Sequence, residues 1–171
     1  MLFRSLPMTD DDDLADKYLL AEERLTAAGH TAYEVSNWAR TPGHACRHNL
    51  GYWRGDDWWG VGPGAHSHVG GVRWWNVRHP SAWARAVHAG RSPAQGREVL
   101  GAAERVAEDV LLRSRLAEGL PLAVVPGTQR GEVAALVADG LLDARAARAG
   151  RVVPTVRGRL LADVVARSLT G

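Results

Sequence analysis

The 171-residue chain has one cysteine, one lysine, one phenylalanine, and no apolar run near the ~20 residues that a membrane-spanning helix needs. Each scarcity excludes something. A lone thiol, Cys46, rules out an intramolecular disulfide framework and any all-cysteine iron–sulfur cluster built by this chain alone. The opening residues 1–13 lack the apolar centre and cleavage site of a secretory signal, so a soluble cytoplasmic protein is expected. Concentrated positive charge is missing as well. The formal net charge is +2, with 9 basic and 10 acidic side chains in residues 1–90 and 12 and 9 in residues 91–171. Neither half has the cationic field of a non-specific nucleic-acid binder, so no nucleic-acid partner is expected. Nucleophilic catalysis is poorly served too. No serine sits in G-x-S-x-G, "GVGPGA" at 60–65 matches neither phosphate-loop spacing, and Glu34, Asp56 and Asp57 have no assignable opposing group. No catalytic residue is assigned.

What the chain does have is tryptophan. All seven (Trp38, Trp53, Trp58, Trp59, Trp74, Trp75, Trp83) fall between residues 38 and 83, so they build one thick core or line the pocket of a flat aromatic ligand. Residues 9–28 read as a helix whose acidic start suits the dipole, followed by a short strand at 31–39. Residues 40–57 read as a polar, turn-rich loop. Strands are expected near 58–61 and 72–77 around a Gly/Pro turn. After Pro80 the pattern is helical. A short helix covers 80–90, an amphipathic one covers 97–119 with Val99, Ala103, Val106, Val110, Leu112 and Leu116 on its apolar face, and another ends near Gly140. A small β-wing at 150–158 precedes a final helix with Leu161, Val164 and Val165 inside. Helix, glycine, strand is an α/β signature, and helix, helix, wing, helix outlines a winged-helix-like module.

The stretch "HACRHNLGYW" at 44–53 concentrates ligand-type side chains. In an extended segment His44, Cys46 and His48 share one face, and His66 with His68 forms a second such pair, a possible but cysteine-poor zinc set. Haem asks for different groups: an imidazole or thiolate for iron, aromatic faces for the macrocycle, and arginines for the propionates. His48 or Cys46, Tyr52 and Trp53, and Arg47 and Arg54 supply those kinds. An isolated histidine is more often a hydrogen-bonded structural residue.

Three motifs in order, Y-E-V-S-N-W-A at 33–39, R-H-N-L-G-Y-W-R-G at 47–55 and G-V-G-P-G-A-H-S at 60–67, resemble the later part of the HemW-type haem chaperones. These are radical SAM proteins related to oxygen-independent coproporphyrinogen III oxidases. The tail from residue 140 resembles the family's C-terminal domain, so the likeness covers nearly the whole chain. It implies an α/β fold: the last α/β units of a partial (β/α) radical SAM barrel in residues 1–80, then a small helical, winged-helix-like domain in residues 81–171. The family's H-N-x-x-Y-W motif falls on His48, Asn49, Tyr52 and Trp53. The resemblance thus makes His48 the candidate haem-iron ligand and Tyr52 or Trp53 the stacking surface, while Arg47 and Arg54 stay candidate propionate contacts on the residue reading above. Ser36, Asn37, Trp38 and Ala39 stand where the oxidases carry an Asp-His-Phe-Ala type segment, which favours the chaperone branch. By the same resemblance Gly64, Ala65 and His66 approach the SAM pocket.

The C-x-x-x-C-x-x-C motif of the family's [4Fe–4S] cluster is missing, so this chain alone is not expected to cleave SAM. The implied partners are haem, a separate N-terminal radical SAM portion and a haem-receiving protein. The alternatives are an inactive structural portion that needs a cluster-bearing chain, and a winged-helix nucleic-acid binder. A barrel cut open would leave strand edges and apolar faces exposed.

Overall fold

The computed structural model describes residues 10–171. The expectation about a secretory signal, and the first residue of the predicted helix at 9–28, lie at least partly outside those residues. The helix itself, α1 (Asp11–Ala27), opens on Asp11, Asp12 and Asp13, where carboxylates oppose the positive end of the dipole. The expected single strand at 31–39 is a hairpin. β1 (Thr31–Glu34) pairs antiparallel with β2 (Asn37–Ala39), with a register shift between Ala32 and Glu34. Val35 and Ser36 make the turn between them, and a period-two pattern does not reveal such a reversal.

The polar stretch read as a loop contains a helix, α2 (Arg47–Arg54), entered through a 3₁₀ turn (Pro42–His44) and closed by Gly55 at φ +72°. No strand forms at 58–61. Trp58 makes only an isolated bridge to His68, and Gly60 runs so close to the next strand that a Cβ there would lie 1.9 Å from the His66 carbonyl oxygen. The hairpin is instead β3 (His66–Val69) with β4 (Val72–Asn76), turning at Gly70 and Gly71, both at positive φ as a two-residue hairpin loop favours.

α3 (Pro80–His88) starts on its proline as expected. β5 (Ala94–Val99) then pairs with β4 and completes a three-stranded antiparallel sheet. The predicted 97–119 helix is therefore shorter: α4 (Ala102–Arg113) begins after Gly101, whose N–H the Glu104 carboxylate accepts at 2.7 Å. Pairing with β4 overrides the helical period at residues 97–99 and leaves Val99 exposed, as is Val106, while Val110 and Leu116 are buried.

The remainder is β6 (Leu120–Pro121), α5 (Arg130–Ala138), α6 (Ala144–Arg148), β7 (Arg151–Val152), α7 (Val156–Leu160) and α8 (Ala162–Thr170), with β6 and β7 forming the small wing. The expected last helix breaks at Leu161, which is exposed with Val164, whereas Val165 is buried.

The core is aliphatic and late in the chain. Val110, Leu120, Val125, Val133, Leu136, Leu141, Leu142, Val152, Val165 and Leu169 form one buried cluster. No tryptophan is fully buried, so the seven do not make the thick core that was one of two expectations. The buried residues in the same part of the chain are small or polar: Ala32, Ala39, Ala45, Ser67 and Asn76. No helix among the described residues is long and apolar enough to cross a membrane.

Candidate functional site

The helical form of residues 47–54 decides how the ligand-type residues meet. His44 sits in the 3₁₀ turn with Nδ1 3.1 Å from the Thr41 hydroxyl, and Cys46 caps α2 as a free, exposed thiol. The spacing of two therefore does not align His44, Cys46 and His48 on one face, as the extended reading required. Among the described residues, no three His, Cys, Asp or Glu side chains gather as a metal would need.

A spacing of four is what counts in a helix. His48 and Tyr52 lie one turn apart, ring centroids 4.8 Å apart and nearly perpendicular. Tyr52 meets Trp58 at 4.8 Å, and Trp58 meets His68 at 4.9 Å. Four rings thus run in contact from α2 to β3 as one aromatic ledge. His48 is exposed with no hydrogen-bond partner among the described residues, and Tyr52 is 40% exposed.

Asn49 and Trp53 are likewise one turn apart, but Trp53 faces other company. Its ring lies under the Arg115 guanidinium, 5.9 Å from the centroid, and its Nε1 is buried without a partner. Tyr52, not Trp53, is the open ring of the pair. Arg47 is exposed, whereas Arg54 is held as a fork by Glu118, both bonds 3.0 Å. The Glu118 carboxylate raises the Arg54 pKa further above its ordinary value and outweighs the opposing effect of burial. A propionate at Arg54 would have to displace Glu118.

Gly64, Ala65 and His66 belong to a turn pinned by two buried polar side chains. Ser67 Oγ accepts the Gly60 N–H at 2.9 Å, and Asn76 Nδ2 donates to the Gly62 carbonyl at 2.9 Å. The Asn76 N–H donates to Ala65 O at 3.0 Å, and the Gly64 N–H to Val77 O at 2.9 Å. His66 stacks on Trp75 at 6.0 Å beside an open hollow of about 410 Å³ lined by Trp75, Val77 and Arg78.

Trp58 and His68 are the ledge members that sequence reasoning placed elsewhere, one in a strand and one in a zinc pair. Their signal was present in the alternation of His66 and His68. What was missing was the reversal at Gly70–Gly71 that sets β3.

A second region ties the ends of the chain together. Arg159 is 9% exposed and forms an ion pair with Glu22 at 2.6 Å. The Trp38 indole N–H donates to the other Glu22 oxygen at 2.5 Å. Tyr18 donates to Val35 O at 2.7 Å and accepts from Arg159 Nε at 3.0 Å. Burial raises the Tyr18 pKa and outweighs the lowering by Arg159. A hollow of about 790 Å³ lies beside this network, between α1 and α7–α8. Its guanidiniums are engaged: Arg115 with Asp163, Arg159 with Glu22, and Arg157 with the Asp139 carbonyl.

No family model matches the chain. Individual relatives do. A haem chaperone HemW of Mycobacterium tuberculosis is 53% identical over 166 residues, 97% of this chain and 42% of that protein. The Escherichia coli haem chaperone HemW is 40% identical over 70% of this chain and 32% of its own length. A mitochondrial radical S-adenosyl methionine domain-containing protein 1 of Danio rerio is 32% identical over 67% of this chain. Among solved structures, the E. coli coproporphyrinogen III oxidase HemN, described as a radical SAM enzyme, superposes over 96% of this chain and 42% of its own, with TM-score 0.67 and 16% identity. The chain thus spans less than half the length of these relatives. The fold is that of the corresponding part of the radical SAM oxidase, and over 97% of its length the chain is homologous to the HemW haem chaperones.

Proposed function

We propose that this chain is the haem-handling portion of a HemW-like radical SAM protein, binding haem as cargo through His48 and passing it to an acceptor protein in the cytoplasm. One observation carries the reading: His48 stands at the surface, without a hydrogen-bond partner among the described residues, beside the open ring of Tyr52. A histidine kept for packing would be enclosed and bonded, whereas a free imidazole next to an exposed aromatic face fits an iron macrocycle. Haem brings an iron that accepts an imidazole, a flat apolar face and two carboxylates. On the protein side His48 offers the lone pair, Tyr52 the face, and Arg47 a cation without a carboxylate partner among the described residues. Trp53 packs beneath Arg115 and braces α2, and Asn49, half-buried one turn before it, completes the motif beside the cargo face.

A [4Fe–4S] cluster does not fit the residues present, since Cys46 is the one thiol. SAM chemistry would need a chain that carries the cluster cysteines, with Gly64, Ala65 and His66 at the edge of the shared pocket. The division into residues 1–80 and 81–171 is part of the same proposal, although β5, beyond that boundary, pairs with β4 before it.

Titration of the purified chain with ferric haemin tests the reading. A Soret band should grow in, and His48→Ala should weaken it; identical spectra for the two proteins would remove His48 from the role. A second reading, an inactive portion that works only when joined to a cluster-bearing chain, is favoured by the exposure of Leu14, Leu19 and Leu20 around α1. Mixing with a cluster-bearing radical SAM domain should then shield α1 from hydrogen exchange.

A further inference from the structure

We propose that Trp58 is a positioning residue of the haem site: it holds the Tyr52 ring at the angle that a macrocycle ligated by His48 requires. The inference rests on the haem reading above and extends it to a residue outside the H-N-x-x-Y-W motif.

Two ring planes set the requirement. An axial imidazole stands perpendicular to the macrocycle it ligates, because its ring contains the bond from nitrogen to iron. The Tyr52 ring lies at 78° to the His48 imidazole, with the centroids 4.8 Å apart. A ring so inclined is within reach of the offset, parallel stacking that flat aromatic groups favour. One turned into the imidazole plane is not.

The helix alone does not keep Tyr52 in that orientation. α2 buries no residue completely, Tyr52 is 40% exposed, and its hydroxyl makes no hydrogen bond among the described residues. Its other ring neighbour is Trp58, 4.8 Å away at 65°. An edge-to-face contact of this kind hinders rotation of the Tyr52 side chain. A ring ordered before binding loses less freedom when the cargo arrives.

Trp58 suits the task because its own place is fixed. The chain leaves α2 through Gly55 and doubles back at once, with the Asp56 N–H donating to Gly51 O at 2.9 Å. The Trp58 N–H then donates to His68 O at 2.7 Å, and the His68 N–H to Trp58 O at 2.9 Å. The His68 imidazole, 4.9 Å from the Trp58 ring, is held in turn. A carbonyl only accepts, so His68 Nδ1 donates to Asp56 O at 3.2 Å, and His68 backs Trp58. The Asp57 carboxylate accepts the Gly70 N–H at 2.9 Å and ties the same segment to the β3–β4 turn. Trp59, the next residue, packs on Trp74 instead, so the two adjacent tryptophans serve different surfaces. A tryptophan kept for the core would be buried, whereas Trp58 is half-buried between an exposed ring and a hydrogen-bonded one.

The test is a double-mutant cycle read by ferric haemin titration of the purified chain, with circular dichroism to check folding. Trp58→Leu keeps apolar volume and removes the ring. It should weaken haemin binding roughly fivefold, the order expected for one side chain that must now be ordered on binding. The Soret maximum should stay in place, because the iron ligand is unchanged, and Trp58→Phe should recover most of the loss. In a Tyr52→Ala background Trp58→Leu should cost nothing further, which separates positioning from a general loss of structure. Parent affinity in Trp58→Leu, or an equal loss with and without Tyr52, overturns the proposal. So does an equal loss in the control Trp59→Ala, whose ring lies outside the ledge. A parent chain that gives no Soret band, or a His48→Ala variant with the parent's spectrum, removes the haem reading and this proposal with it. A haem-free measurement needs no variant. Proton magnetic resonance of the parent should show Tyr52 ring signals displaced from their random-coil positions by the neighbouring indole, and random-coil signals would overturn the proposal.

Discussion

Between residues 110 and 169 the protein is held by leucine and valine, with no aromatic side chain at all, whereas between residues 38 and 83 it carries seven tryptophans and buries none of them fully. The first region hides apolar surface from water, which is the main source of folding free energy. The second leaves most of its rings half-buried, with Trp59 and Tyr52 exposed, and fixes the chain around them with polar bonds, such as those of Ser67 and Asn76. Exposed aromatic area contributes little to stability, so its presence points to something that comes and goes. One region supports; the other presents.

The sharpest way to break this contrast is to truncate one large residue in each. Leu169→Ala, in the aliphatic cluster, should cost about 4 kcal/mol in a denaturation curve. Trp59→Ala, where the ring is 71% exposed, should cost within about 0.5 kcal/mol. Equal losses would show that the rings carry the fold after all. The link between the regions comes next. Glu22→Leu strands the enclosed Arg159 guanidinium and the Trp38 N–H, so roughly 3 kcal/mol should disappear, with Trp38 fluorescence changing in the same transition. Separate transitions for fluorescence and helix content in the parent chain would mean that the two regions unfold independently.

The smallest effect is a pH dependence at the same junction. Tyr18 has a folded-state pKa raised by burial, so the folded protein holds that proton more tightly than the unfolded chain does. Its contribution is complete below the ordinary phenol range and is lost as pH rises through the raised value. Denaturation midpoints should therefore fall as pH rises above the ordinary phenol value of about 10, and Tyr18→Phe should flatten that part of the profile. A rise over the same interval would contradict the burial argument.

Legibility followed the same division. Helices α1, α3 and α5 were readable because local signals agree with the final packing: acids at a start, proline at a first turn, glycine past an end. Residues 97–99 misled because a helical period ran on across a segment that β4 captures for the sheet. α2 misled in the opposite sense. It buries no residue completely, so it has no strong apolar stripe, and His48 with His44 and Cys46 before it invited a spacing-of-two reading. The candidate site suffered for that reason. His48, Tyr52 and the three-motif resemblance were legible, but the ledge was not, because Trp58 and His68 meet α2 only after two reversals of the chain. The Arg54 fork to Glu118 depended on a partner 64 residues away, beyond any local pattern.

That fork, with Arg115 over Trp53, clamps both the last turn of α2 and its inner ring to the helical end of the chain. A short synthetic peptide spanning the ten residues from His44 to Trp53 would carry every letter of the motif and none of this grip. Minimisation of the protein into a portable haem tag would therefore have to retain the segment that contains Arg115 and Glu118.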